Sequence, residues 1–324
     1  MLMSLLLFAV GLVLLIKGGD WFVDGATGIA KRFHLPDIVV GATVVSIGTT
    51  LPEVMVSTTG ALAGSGAMAY GNAIGSIICN TALIAAISIT CNPGPVNVAS
   101  MKTPAVFFFG AAAIYCVAAY GLGEFPRWLG FIMLTVFVVY MILTVRNGLR
   151  NPDASSEEEE EESKERTLWQ ELLLLVAGAG VIAVGADLLV EHGQIIAIQL
   201  GVPQTVVALL FVALGTSLPE LVTTITSLKK GRASLGVGNV IGANVFNLVL
   251  VSGMAVSLAP FKVPAENKLL DTGLNLSLVF DIPVMLMVMS LMIFPALAKK
   301  KLGRWQGITL LCIYAAFCVC QFLL

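Results

Sequence analysis

The sequence predicts an all-α membrane protein whose ten transmembrane helices form two inverted five-helix repeats. Three observations predict it: an apolar composition divided into blocks of membrane-spanning length, an internal repeat that lays Glu53 onto Glu220, and a one-sided distribution of Lys and Arg among the loops. Of the 324 residues, 57% are hydrophobic and only 12% charged, with a mean hydropathy of +0.94. A soluble domain carries about a quarter charged residues, so half that level places most of the chain in lipid.

A span needs about 20 predominantly apolar residues. On that criterion the spans fall at 2–30, 37–63, 70–90, 104–122, 127–146, 168–198, 204–228, 236–258, 277–298 and 305–323. The N-terminal block lacks a basic leader and a small-residue cleavage site, so it reads as the first membrane helix. With ten spans, alternate loops share a side. Fourteen Lys and Arg collect on one side, against Arg127, Lys262 and Lys268 on the other. The positive-inside bias makes the first side cytoplasmic and puts both termini outside, as expected of a plasma (inner) membrane protein.

The long connection, 147–167, holds six of the twenty acids in one run, Glu157 to Glu162. A solvated linker accounts for such a run, because like charges without turn or cage residues do not build a calcium site. No basic face with interleaved aromatics is present, which excludes nucleic-acid binding. The six cysteines have no CxxC spacing and lie in or beside apolar blocks, as small apolar spacers do.

The repeat fixes the domain organisation. The shift that lays Glu53 onto Glu220 also pairs Asp20 with Asp187, Asp24 with Glu191, Pro36 with Pro203 and Pro52 with Pro219. It continues without a gap from "GNAIGSIICN" (71–80) to "GNVIGANVFN" (238–247). The units are therefore 1–146, with its motif at 41–80, the acidic linker 147–167, and 168–324, with its motif at 208–247. Five spans per unit is an odd number, so the second unit crosses the membrane in the opposite sense. That is the plan of secondary transporters, whose binding sites lie near the midplane where the halves meet.

Glu53 and Glu220 stand near the middle of the second and seventh spans. A charge there costs about 2.5–3.5 kcal/mol on insertion scales and marks a functional site by default. No apolar core supplies a basic partner, apart from Lys17 toward one end of the first span. Proline lacks an amide hydrogen, so Pro52 frees the carbonyl of Gly48 and Pro219 that of Gly215. Each proline is expected to break its helix just before the carboxylate. Thr49, Thr50, Thr216 and Ser217 add hydroxyls on the same turns, and the third and eighth spans offer Ser76, Asn80 and Asn247, with Ala243 in the place of Ser76. The donors are all hard oxygens. Such a set suits Ca²⁺, which takes 6–8 oxygens, and Na⁺, rather than a transition metal. Two glutamates give −2, which one Ca²⁺ or two Na⁺ neutralises, so the ions compete for one pocket and a carrier that crosses only when loaded becomes an exchanger.

"GTTLPE" and "GTSLPE", followed by "GNAIGSIICN" and "GNVIGANVFN", resemble the two α-repeats of the cation/calcium exchanger superfamily, specifically the prokaryotic sodium/calcium exchangers. The resemblance covers nearly the whole chain. It implies a ten-helix fold with sites between helices 2, 3, 7 and 8, and exchange of three Na⁺ for one Ca²⁺ as the first and sixth helices slide on a fixed core. It places calcium-binding carboxylates at Glu53 and Glu220 and backbone carbonyl ligands at Thr49 and Thr216. Sodium ligands fall on Ser46, Thr50, Ser76, Ala213 (by its carbonyl) and Ser217, and a polar pair on Asn80 and Asn247. Two departures stand out. Ala243 replaces a serine, removing a hydroxyl from one sodium site, and Asn247 replaces the Asp of potassium-dependent relatives.

The nearest rival is Ca²⁺/H⁺ antiport through the same glutamates, but the acidic "GNxxE" motif of proton-coupled relatives is absent. A channel would need an open polar path rather than a paired central pocket. An enzyme would need a catalytic motif, and none is present. The expected partners are Ca²⁺, Na⁺ and the lipid bilayer, with no cofactor, and the chain is expected to work as a monomer.

Overall fold

The computed structural model describes residues 2–150, 166–200, 215–264, 268–269 and 274–323. Ten helices account for nearly all of them: α1 (Leu2–Arg32), α2 (Asp37–Leu62), α3 (Gly66–Cys91), α4 (Val98–Leu122), α5 (Arg127–Arg150), α6 (Leu168–Gln199), α7 (Leu218–Lys229), α8 (Ala233–Leu258), α9 (Ser277–Lys299) and α10 (Arg304–Leu323). Eight of these are long and apolar enough to cross a membrane; α7 and α10 fall outside that set among the described residues. The expected span at 204–228 is described only from 215 onward, and Ala213 and most of the linker lie outside the described residues. Large apolar side chains such as Leu6, Val13, Phe131, Ile142 and Val176 point away from the protein, as lipid-facing residues do.

Local chemistry sets the helix ends. Asn97 caps α4 by accepting from the amides of Ala99 and Ser100 at 3.0 and 3.2 Å. α2 and α7 end on the same turn: Gly64 has φ +84° and Gly231 φ +73°, the left-handed conformation that only glycine adopts freely. These two glycines are related by the repeat, so the shift between the halves carries backbone geometry as well as sequence.

α1 and α6 form an antiparallel pair at van der Waals contact. A Cβ on Gly11 would sit 2.9 Å from the Gly185 carbonyl, and one on Gly178 would sit 2.5 Å from the Phe22 amide nitrogen. Small residues let membrane helices approach this closely and exchange dispersion contacts where no hydrophobic effect is available. Gly11 and Gly178 are repeat mates, as are Gly18 and Gly185. The contacts Gly11–Gly185 and Gly18–Gly178 therefore interchange under the repeat, which puts a local two-fold axis between Leu14 and Leu15 of α1 and beside Val181 and Ile182 of α6. The pair packs into a smaller hydrophobic cluster, built on Leu15, Phe22, Val23, Ala26 and Ile182 together with Val40 and Val45 of α2 and Leu235 of α8, separate from the main core.

The main core is built by α3, α4, α5, α8 and α9, with α8 almost wholly enclosed at its centre. α2 and α8 run in the same direction, with Gly238 against the backbone of Ile38 and Gly242 against that of Ala42. Tyr140 of α5 anchors this contact by donating to the Ala42 carbonyl at 2.9 Å. Two-residue antiparallel strands cross between the halves. Gly94–Pro95, after α3, pairs with Lys301–Leu302 before α10; Phe261–Lys262, after α8, pairs with Glu124–Phe125 before α5.

Two expectations need correction. α2 is not broken at Pro52: the helix runs through the proline, and its irregularity is a π-helical turn at Gly41–Val45. One missing hydrogen bond does not end a membrane helix when neighbours hold it on both sides. The expectation holds for Pro219, where Ser217 interrupts the helix and α7 restarts at Leu218. Lys17 lies within one turn of the centre of the α1–α6 pair, not toward an end, and is exposed. Asp281 closes the opening π-helical turn of α9, ahead of its α-helical part, and accepts from Gln321 Nε2 of α10 at 2.7 Å.

Because the α1–α6 contact leaves no room for a methyl group at Gly178, Gly178→Ala lowers the thermal midpoint by a few degrees, the overpacking outweighing the roughly 1 kcal/mol that alanine gains in a helix. Gly180→Ala, where a Cβ meets nothing within 4 Å, leaves the midpoint unchanged or raised. Thermal unfolding of the two variants in detergent is the check.

Candidate cation-binding site

On α2, Ser46, Thr49, Thr50 and Glu53 recur at helical spacing, share one face and are fully buried. On the opposite half, Ser217 and Glu220 are buried at the start of α7, with Thr216 just ahead of them. The two faces meet. Thr50 Oγ1 donates to Glu220 Oε1 at 3.5 Å, and Glu53 and Glu220 lie within electrostatic reach of each other.

α3 and α8 complete the walls. Asn80 and Asn247 are fully buried, and each opens a π-helical turn, Asn80–Ala85 in α3 and Asn247–Val251 in α8. A π turn widens the helix and re-aims its side chains, and such turns recur at functional sites. The Asn80 turn packs against α7 and the Asn247 turn against α2, so each half closes on the glutamate of the other. Ser76 is buried on α3, and its repeat mate Ala243 is buried on α8, offering no hydroxyl.

Three further asparagines belong to this region, and sequence reasoning did not single them out. Thr49 Oγ1 donates to Asn239 Oδ1 at 3.1 Å, and Thr216 Oγ1 donates to Asn72 Oδ1 at 3.3 Å. These bonds are repeat equivalents and fix the two threonines from the neighbouring half. Asn72 Nδ2 also donates to Ser57 Oγ at 2.8 Å and to the Glu53 carbonyl at 3.2 Å. The third, Asn244, donates to Thr81 Oγ1 at 2.7 Å. The signal for the first two was present in the sequence, since Asn72 and Asn239 hold equivalent places inside the repeated motif. Ser46 Oγ lies 2.8 Å from the Gly41 carbonyl and 2.9 Å from that of Asn239, so its proton is engaged and its lone pairs face elsewhere.

Electrostatically the pocket is incomplete. Both carboxylate oxygens of Glu53, Oε2 of Glu220 and the side-chain oxygens of Asn80 and Asn247 are buried without a hydrogen-bond partner. None of the ion pairs among the described residues reaches either glutamate. A buried polar atom left unsatisfied costs about 1–3 kcal/mol, and a carboxylate more. The unsatisfied atoms that can ligate are all oxygens, which is the donor set of a hard cation.

A cavity of about 820 Å³ lies beside these residues. Gly48, Thr49 and Pro52 line it from α2, Gly215, Thr216 and Pro219 from the repeat-equivalent positions, and Ala183 and Asp187 from α6. Both threonines of the pocket therefore border a space that the α1–α6 pair covers.

A helical membrane protein that sets two unpaired carboxylates among hard oxygens, at the junction of two related halves, is by class a cation carrier. The comparisons name the family. Residues 3–146 and 171–323 match the sodium/calcium exchanger protein family. An uncharacterized membrane protein of Methanocaldococcus jannaschii is 33% identical over 95% of this chain and 94% of its own length. The sodium/calcium exchanger MaX1 of Methanosarcina acetivorans is 29% identical over 98% of both chains. A solved structure of the sodium-calcium exchanger NCX_Mj superposes with a TM-score of 0.79 at 32% identity, covering 97% of each chain. This chain belongs to the sodium/calcium exchanger family, and it is an integral membrane antiporter rather than an enzyme.

Removing one buried carboxylate takes away a charge that neutral oxygens do not replace. Glu53→Gln and Glu220→Gln each weaken Ca²⁺ binding by roughly 100-fold or more, while the metal-free protein melts no lower, since an unpaired buried charge is gone. Calorimetric Ca²⁺ titration and thermal unfolding in chelator check the two halves of this expectation.

Proposed function

We propose that this chain exchanges Na⁺ for Ca²⁺ by alternating access, moving three Na⁺ against one Ca²⁺ and so one net charge per cycle. In this reading the ten helices all cross the membrane as two inverted five-helix repeats. The observation that carries it is the pair of buried carboxylates, without a basic partner among the described residues, contributed by opposite halves. Glu53 and Glu220 hold Ca²⁺ together with the carbonyls of Thr49 and Thr216. Ser46, Thr50, Ser76, Ser217 and the carbonyl of Ala213 complete the flanking Na⁺ positions, and Asn80 and Asn247 supply neutral oxygens between them. Because one Ca²⁺ or two Na⁺ cancels the −2 of the glutamates, neither ion binds well while the other is in place, and this competition couples the two fluxes.

The α1–α6 pair is the moving part. It is held together by close backbone contact, meets α2 and α8 through an apolar cluster separate from the main core, and covers the cavity next to the pocket. Sliding this pair along the α2–α7 surface exposes the pocket first to one side and then to the other, with little change to the core. The basic loops put the linker in the cytoplasm and both termini outside, in the plasma (inner) membrane, and the chain acts as a monomer. The name of the Methanosarcina relative points to the same ions.

The test is ⁴⁵Ca²⁺ uptake into proteoliposomes loaded with Na⁺, compared with K⁺ loading and with an imposed proton gradient. Uptake that needs internal Na⁺ and is lost in Glu53→Gln is the expected result; uptake driven by protons without Na⁺ transfers the same glutamates to Ca²⁺/H⁺ antiport. Clamping the potential with K⁺ and valinomycin then reads stoichiometry. Three-to-one exchange carries one positive charge outward per Ca²⁺ taken up and so runs faster when the interior is positive, whereas a two-to-one cycle, with Ala243 removing one Na⁺ position, does not respond.

A further inference from the structure

Ion pairs among the described residues join helices in three places, and one of these crosses between the α1–α6 pair and the rest of the protein. Arg32–Glu171 lies within the pair, and Arg232–Asp37 lies within the core. The crossing contact is made by Lys230, whose Nζ lies 2.7 Å from Asp24 Oδ1 and 3.8 Å from Asp20 Oδ1, and donates to the Asp20 carbonyl at 3.0 Å. One side chain at the end of α7 thus holds two successive turns of α1.

The repeat shows what this contact means. Asp20 and Asp24 have acidic mates, Asp187 and Glu191, on α6. Lys230 has Ala63. The backbones match: Ala63 and Lys230 both follow the last turn of their helices with ψ near zero, 4° and 10°, and each precedes a left-handed glycine. The place exists at both ends of the molecule, and a cation occupies it at one. Asp187 and Glu191 stand one turn apart, exposed, and no basic side chain among the described residues pairs with them. With the local two-fold axis between residues 14 and 15, Asp20 and Asp187 lie about 8 Å from it along the helix pair, on opposite sides.

The cavity follows the same division. Its walls include Asp187 and Val190 but neither Asp20 nor Asp24. Where the lysine is present the α1–α6 pair is fastened to α7, and where alanine replaces it a carboxylate borders a path that reaches Thr49 and Thr216.

We propose that Lys230 is a one-sided latch. It ties α1 to the end of α7 while the pocket is accessible from the Asp187 side, and it releases Asp20 and Asp24 when the α1–α6 pair slides to open the other side. The proposal rests on the alternating-access reading above. Its consequence is an unequal resting distribution: the state with the Asp187 side open carries an interaction that its counterpart lacks. An ion pair of this exposure shifts such a balance by about two- to fivefold.

Hydrogen–deuterium exchange of the full chain in lipid nanodiscs, without Ca²⁺, tests this for the wild type, Lys230→Ala, Lys230→Arg and Ala63→Lys. Lys230→Ala is expected to speed exchange about two- to fivefold around residues 17–26 and 226–232 and to slow it around 183–191. Lys230→Arg keeps the wild-type pattern. Ala63→Lys builds the mirror contact and slows exchange around 183–191, a direction that general destabilisation does not give. The latch is overturned if Lys230→Ala leaves both ends as in the wild type, or loosens both alike, or if Ala63→Lys speeds the 183–191 end. The readout involves no transported ion. An unchanged exchange pattern alongside normal Na⁺-driven uptake removes the latch alone, and the opposed shifts without Na⁺-driven uptake remove the ion assignment but leave the latch.

Discussion

Two carboxylates with no basic partner, Glu53 and Glu220, are buried where the two halves of the chain meet, and much of the structure serves to make that position tolerable. A protein side chain of opposite charge would satisfy them permanently and leave nothing for a cargo ion. The chain instead surrounds them with neutral oxygen: threonines held by Asn72 and Asn239, and two π-helical turns that bring Asn80 and Asn247 inward. Neutral donors stabilise a bound cation without competing for the carboxylates, and so they leave its release possible.

The proposed exchange cycle requires a rigid wall and a movable one. The rigid wall is α8 and its neighbours, where Gly238 and Gly242 bring the α2 backbone against α8 and Tyr140 fastens it from α5. In the proposed cycle the movable wall is the α1–α6 pair, which carries its own glycine seam and meets α2 and α8 through a smaller apolar cluster. The pair is held together by its own close backbone contact, and the proposed motion between pair and core leaves that contact intact. The Lys230 contact crosses that boundary at one end and has no counterpart among the described residues at the other.

Departures from the repeat are as informative as the repeat itself. Ser76 against Ala243 changes the donor count on one flank, Asn244 against Ile77 adds a buried amide to α8 alone, and Lys230 against Ala63 changes how one end is closed. A two-fold scaffold gives both faces of a carrier the same geometry. Single substitutions on it then change charge and donor count at matching places.

The sequence by itself determined the apolar blocks, the two related halves, the family resemblance and the pair of glutamates, because these follow from composition, spacing and one constant shift between the halves. The threonines and asparagines of the motifs were legible for the same reason, although Asn72 and Asn239 were passed over despite their matching positions. Tertiary structure alone decided that α2 runs through Pro52 while α7 restarts beside Pro219, since the fate of a proline depends on what supports the freed carbonyl. It alone decided that Asp281 serves α9 and α10 through Gln321, and that Lys230 of the second half reaches back to Asp20 and Asp24 in the first helix. Such contacts join residues remote in the chain, and no local pattern encodes a partner that packing must bring into reach.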